Sequence, residues 1–241
     1  MLHKTRGIVF HQIKYAETSV IVKIYTEKFG IQSFLVKAIH QKKSKIKSSF
    51  FQPLTLLDMV IYHKENREIN HIKEIKIAQT LQTIPFDIRK STIVIFLNEI
   101  LLKSIKEQEA NPELFDFIYR GIVGLDNTSN RIADFHLFFT IHLTKYLGFF
   151  PRDNYDDSHT IFDMQEGIYQ DSSFGLKYYI GEKLNLFWHK LHTENFENAG
   201  PLQINALQRQ ELLQKINDYY SIHLPAFKNI KSMQVLSEVL K

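Results

Sequence analysis

The sequence has no cysteine, only 9 glycines and 6 prolines among 241 residues, and no long apolar run. Each shortage removes a class of protein. Without cysteine there is no disulfide framework and no thiolate metal site, so a stapled secreted scaffold is excluded and a reducing cytoplasm is the expected setting. The few glycines form no P-loop, no G-x-G-x-x-G and no G-x-S-x-G, so the phosphate-cradling loops and the serine-hydrolase elbow are missing. The longest apolar stretches, such as "IVIFL" at residues 93–97, fall far short of the roughly 18 residues a membrane span requires. The opening "MLHKTRGIVFHQIKYAETS" has no signal-peptide apolar core. A soluble chain is expected. The last shortage is local, since no carboxylate occurs between Glu27 and Asp58.

That acid-free gap holds Lys28, Lys37, Lys42, Lys43, Lys45 and Lys47. Residues 1–80 carry 14 Lys and Arg against 6 Asp and Glu, a net +8, and the remainder is −4, although the whole chain is only +4. A polyanionic partner would therefore meet the N-terminal third. The same third reads as five strands, "GIVFHQI", "SVIVKIY", "IQSFLVKAI", "LTLLDMVIY" and "EINHIKEIKIA", each short and rich in Ile, Val, Phe and Tyr. Three connections are short, one of them with Gly30 able to take positive φ, and the basic segment is the long one. Five strands at this spacing predict a small barrel, of the OB type that commonly binds nucleic acid, with an SH3-like barrel as the rival.

After Thr83 the rhythm becomes helical. "DIRKSTIVIFLNEILLKSI" is apolar nearly all round, which predicts a central helix. Asn111, Pro112 and Glu113 form an N-cap, an N1 proline and a first-turn acid, and Gly124 is the expected stop of that helix. Ser129 and Gly148 bracket a further helix whose Ile132, Phe135, Phe139, Leu143, Tyr146 and Leu147 predict one buried stripe. Helices are also expected over residues 174–192, 205–223 and 230–240. The reading is an α+β chain of two domains, a five-stranded OB-fold β-barrel over residues 1–80 and an all-α helical domain over 81–241.

Loop ammonium groups can neutralise successive phosphates without reading bases. Lys37, Lys42, Lys43, Lys45 and Lys47 are thus candidate DNA contacts, joined by Lys14, Lys23 and Arg67; a solvated loop is the plain alternative. Tyr25, Phe29 and Phe34 are candidate stacking rings, with a core role the favoured reading because strand residues alternate faces and the register is open. His189 and His192, in "HKLH", lack the glutamate of a zinc-protease helix and read as structural. Asp153, Asp156, Asp157, Asp163 and Glu166 could in principle hold Mg²⁺ for phosphodiester hydrolysis, but their spacing fits no EF-hand and a solvated linker is favoured.

The phrases "KTRGIVFHQIKYAETSVIVKIYTEKFGIQSFLVKAI" and "KKSKIKSSFFQPLTLLDMVI", followed by "HLTKYLGFFP" at residues 142–151, resemble the bacterial recombination mediator family RecO over essentially the whole chain. The resemblance implies a cytoplasmic, nucleoid-associated, non-enzymatic protein without a cofactor. It would bind single- and double-stranded DNA through the OB domain, anneal strands, and work with a RecR-like partner and the C-terminal tail of single-stranded-DNA-binding protein to load recombinase. Many relatives carry a four-cysteine zinc site after the "LGFxP" phrase. Here the acidic, cysteine-free segment 152–173 takes that place, so no zinc is expected. For the partner tail the resemblance leaves Arg131 and Lys145 as candidates. A metal-dependent nuclease built on residues 153–166 and an RNA-binding barrel are the rival functions.

Overall fold

The computed structural model describes residues 1–37, 46–64, 67–129 and 132–241, with the backbone alone for Glu182. The chain divides into two compact units, Met1–Phe86 with Leu101–Asp126, and Asp87–Ile100 with Asn127–Lys241.

The first unit is built on strands β1 (Leu2–Ala16), β2 (Ser19–Thr26), β3 (Gly30–Val36), β4 (Leu56–Tyr62) and β5 (Ile69–Ile77). They close in the order β1-β2-β3-β5-β4. All neighbours are antiparallel except β3 and β5, which run parallel through Ser33 with Ile69 and Phe34 with Asn70. This is the OB arrangement, and it decides against the SH3-like alternative. Alternation along β3 sends Gln32, Phe34 and Val36 inward and leaves Ile31, Ser33 and Leu35 half-buried on the outer face. The barrel interior is filled by Val9, Val22, Ile24, Phe34, Phe51, Leu57 and Ile61, all fully or almost fully buried.

Residues 101–126, which include most of helix α2 (Pro112–Asn127), belong to the same unit and pack against β1 and β2 from outside. Tyr25 stacks on Phe10 at 5.6 Å between ring centres and lies 6.0 Å from Phe115. The Arg6 guanidinium makes a bidentate pair with Glu27, at 2.8 and 3.0 Å, and sits over the rings of Phe115 and Tyr119. Gly30, at φ +60, meets the following segment so closely that a Cβ there would lie 2.5 Å from the Glu109 carbonyl oxygen. Asp126 accepts backbone N–H bonds from Gln82, Thr83 and Ile84 at 2.7 to 2.8 Å, fixing the chain after β5 to the end of α2.

The second unit centres on α3 (Phe135–Leu147), with α4 (Glu182–Thr193), α5 (Ala206–His223), α6 (Ser232–Val239) and the first turns of α1 (Ile88–Ser104). Asp134, just before α3, pairs with Arg209 at 2.9 Å and accepts the Leu202 N–H, and Tyr220 donates to the Thr140 carbonyl at 2.6 Å. The start of α5 carries a capping box between Asn205 and Gln208.

Several helical expectations are corrected. Gly124 lies inside α2, where its missing side chain meets no neighbour, and does not end the helix. The helix expected from Ser129 begins at Phe135, and it is buried around most of its circumference, His136, Leu137, Phe138 and Thr140 included. Its threonines make this possible by returning their hydroxyl hydrogens to carbonyls one turn back, so they bury without unpaired donors. Residues 174–180 are extended and irregular, and α4 starts only at Glu182. The acidic segment expected as a linker contains a hairpin, β6 (Ile161–Asp163) and β7 (Ile168–Gln170), joined by β8 (Tyr179–Ile180) into a small sheet. Gly167, at φ +70, makes its turn, and buried Asp163 holds the turn by accepting from the Gln165 and Glu166 N–H groups.

Candidate nucleic-acid interface

Register decides which side chains of β1, β2 and β3 share a surface, because directly paired residues point the same way. His11 pairs with Lys23, and Lys23 with Ser33, giving one cross-sheet row. Ile13, Ile21 and Leu35 form the next row. Both rows lie on the outer face, since the intervening Val22 and Phe34 are buried inward. Ile13 remains about half exposed, and Tyr15 at the strand end is 63% exposed. Lys37 directly follows Val36, the last residue of β3. The apolar row, with His11 and Lys23 in the row beside it and no carboxylate in either, can carry bases or sugars while Lys23 meets phosphate.

Beside the Lys23–Ser33 row the face runs into a cavity of about 540 Å³ within the first unit. It is lined by Lys23, Ser33, Arg67 and Glu68, and by Leu102 and Lys106 from the segment beyond the barrel. Two candidate cations, Lys23 and Arg67, are thus brought together around one space. Lys106 is a third that sequence reading missed. Its signal was present, a lysine three residues after Lys103 at the end of an apolar helix, but such lysines ordinarily complement the helix dipole. Lys106 does so here, donating from Nζ to the Leu102 carbonyl at 2.6 Å.

Lys14 is opposite Val20 and so lies on the other face of the sheet from Lys23. Lys47 is exposed beside the 3-10 turn Ser48–Phe51. Lys42, Lys43, Lys45 and Arg131 lie outside the described residues. Lys145 is exposed in the last turn of α3. The candidate rings resolve in favour of the core: Tyr25 and Phe34 are 1% and 0% exposed, and Phe29 stacks on His63 at 4.0 Å. Burial also raises the Tyr25 phenol well above its usual value.

In the second unit the acidic side chains are spread over separate tasks. Asp153 accepts from or pairs with His189 at 2.9 Å, Asp156 closes its own turn onto Ser158 and His159, and Asp163 holds the hairpin. Behind them Tyr169 and His192 share a buried hydrogen bond of 2.9 Å, and Tyr155 stacks on His189 at 4.5 Å. Among the described residues no group of three or more His, Asp or Glu is placed to hold a metal ion. No helix among them is long and apolar enough to cross a membrane.

Comparison with known proteins finds two family models along the chain. Residues 1–81 match the family model "Recombination protein O N terminal" and residues 85–233 match "Recombination protein O C terminal". The chain is 41% identical to the DNA repair protein RecO of Flavobacterium psychrophilum over 98% of both chains. It is 38% identical to the protein of the same name from Bacteroides fragilis, and 34% to that of Azobacteroides pseudotrichonymphae, in each case over 99% of both chains. With both family models matched along most of its length, the chain belongs to the recombination protein O family.

Proposed function

We propose that this protein is a DNA-binding mediator of recombinational repair that works without covalent chemistry. The observation that carries the reading is the outer face of β1, β2 and β3, where one carboxylate-free row, with the Lys23 cation and the His11 imidazole, lies beside a carboxylate-free apolar row. Cations on such a face, together with Lys37 and the loop lysines Lys42, Lys43, Lys45 and Lys47, neutralise the repulsion between two phosphate backbones. Strands so screened, with their bases open, pair more readily. Family membership supports the same role in the cytoplasm on nucleoid DNA, acting on single and double strands. It also supports a RecR-like partner, and a site for the tail of single-stranded-DNA-binding protein near Arg131 and Lys145.

The test is fluorescence anisotropy of a labelled 30-mer single strand at several salt concentrations. If about four loop lysines each meet one phosphate, log K falls against log salt with a slope near −2.8, a loss of about fiftyfold between 50 and 200 mM. Replacing Lys42, Lys43, Lys45 and Lys47 with Ala is expected to flatten that slope while leaving thermal unfolding unchanged. An unaltered slope in the folded variant removes the loop from the site, and failure of the wild type to bind at low salt rejects the reading.

A further inference from the structure

We propose that the cavity lined by Lys23, Arg67 and Lys106 holds a backbone phosphate of the bound single strand, with Lys106 supplying a contact from outside the barrel. This rests on the DNA-binding reading and extends it to residues beyond the barrel strands. Three cations against the one carboxylate of Glu68 line the space, so its field favours an anion. Burial, then the charge of Lys23 with Lys103 behind it, holds the Lys106 ammonium below the ordinary lysine range, against the opposing influence of Glu107. An anion placed among these groups relieves the repulsion. The bond from Lys106 to the Leu102 carbonyl fixes the head group while using one of its three donors.

The cavity is larger than a phosphate group, and Ile31, Leu102 and Ile105 give it an apolar side. A nucleotide presents both an anionic phosphate and the apolar surface of its sugar and base, and matches that mixture better than a small hydrated anion. The Lys23–Ser33 row leads directly into the cavity, so a strand lying on the sheet reaches it without a change of surface.

The experiment compares wild type, Lys106→Ala, Lys106→Arg and the charge-matched control Lys183→Ala in the full chain, using the same 30-mer and salt series. Lys106→Ala is expected to lower the magnitude of the salt slope by about 0.7 and to weaken binding about fivefold near 100 mM salt. Lys106→Arg and Lys183→Ala should stay near wild type. Circular dichroism melting verifies the fold, and Lys106→Gln replaces Lys106→Ala should the latter be unfolded. If the wild type binds and the neutral Lys106 variants keep its slope and affinity, the cavity is not on the strand's path while the DNA reading stands. If the wild type does not bind, both fail. Loss of an acidic peptide's binding with DNA binding intact would assign the cavity to a protein segment and overturn the proposal.

Discussion

His192 and His136 are imidazoles kept neutral by their surroundings. Burial first, with the charges of His189 and His142 opposed by Asp153, brings His192 down to about 4; burial and then Arg209 bring His136 down to about 3. In the unfolded chain both return toward roughly 6.5. Below that value the unfolded state binds more protons than the folded one, so stability is complete above about pH 6.5 and is lost as pH falls toward 4. At pH 5 the loss is about 2 kcal/mol for each imidazole. Thermal unfolding between pH 7.5 and 5 should show a falling Tm. The His192→Gln variant, which can still bond Tyr169, should fall less steeply, and identical pH profiles would exclude His192 as a source. At this scale the sequence made the charges legible and left the faces hidden. Lys23 and Arg67 were identifiable as cations, but a one-residue slip exchanges the two sides of a strand, so only the register separates Lys23 from Lys14. Tyr25 is lost to stacking because Phe115, ninety positions later, packs near it.

Among the elements, the strands were easier to read than the helix ends. Short runs rich in Ile, Val, Phe and Tyr mark β1 to β5 without help from distant residues, although β1 begins at Leu2, five residues before the expected Gly7, whereas the limits of α2 and α3 depend on tertiary partners. α2 continues through Gly124 to Asn127 because Asp126 is needed at its end, where one carboxylate receives three N–H groups of residues 82–84. Asp126→Ala leaves those donors without their acceptor and should cost about 3 kcal/mol in urea unfolding. A loss below about 0.5 kcal/mol would mean that water replaces the carboxylate. The β6–β7 hairpin was missed because its strands are three residues each and its acidic turn reads as solvent-facing, although Asp163 is 5% exposed and serves the turn itself. Where the acidic segment meets α4, Tyr155, Tyr169, His189 and His192 form ring contacts and hydrogen bonds among themselves and with Asp153.

For the whole molecule, the sequence foretold a barrel followed by helices, and the charge asymmetry pointed to the barrel. It did not foretell that the barrel's compact unit includes residues 101–126, because side-chain patterns record what is buried and not what buries it. A fragment ending at residue 80 is expected to uncover Phe10 and Tyr25, to leave Arg6 without the rings of Phe115 and Tyr119, and to bind a hydrophobic dye that the full chain does not. Equal dye binding by the two would show that the covering segment adds no protection. The discontinuity also has a meaning in time. A ribosome delivers the five strands first and then needs roughly 2.5 to 10 s, at about 5 to 20 residues per second, to add the roughly fifty residues from Ile77 to the end of α2 at Asn127. During that interval the Tyr25 side of the nascent barrel has no cover, so α2 acts as a late-arriving clasp whose delay sets how long a chaperone has something to hold.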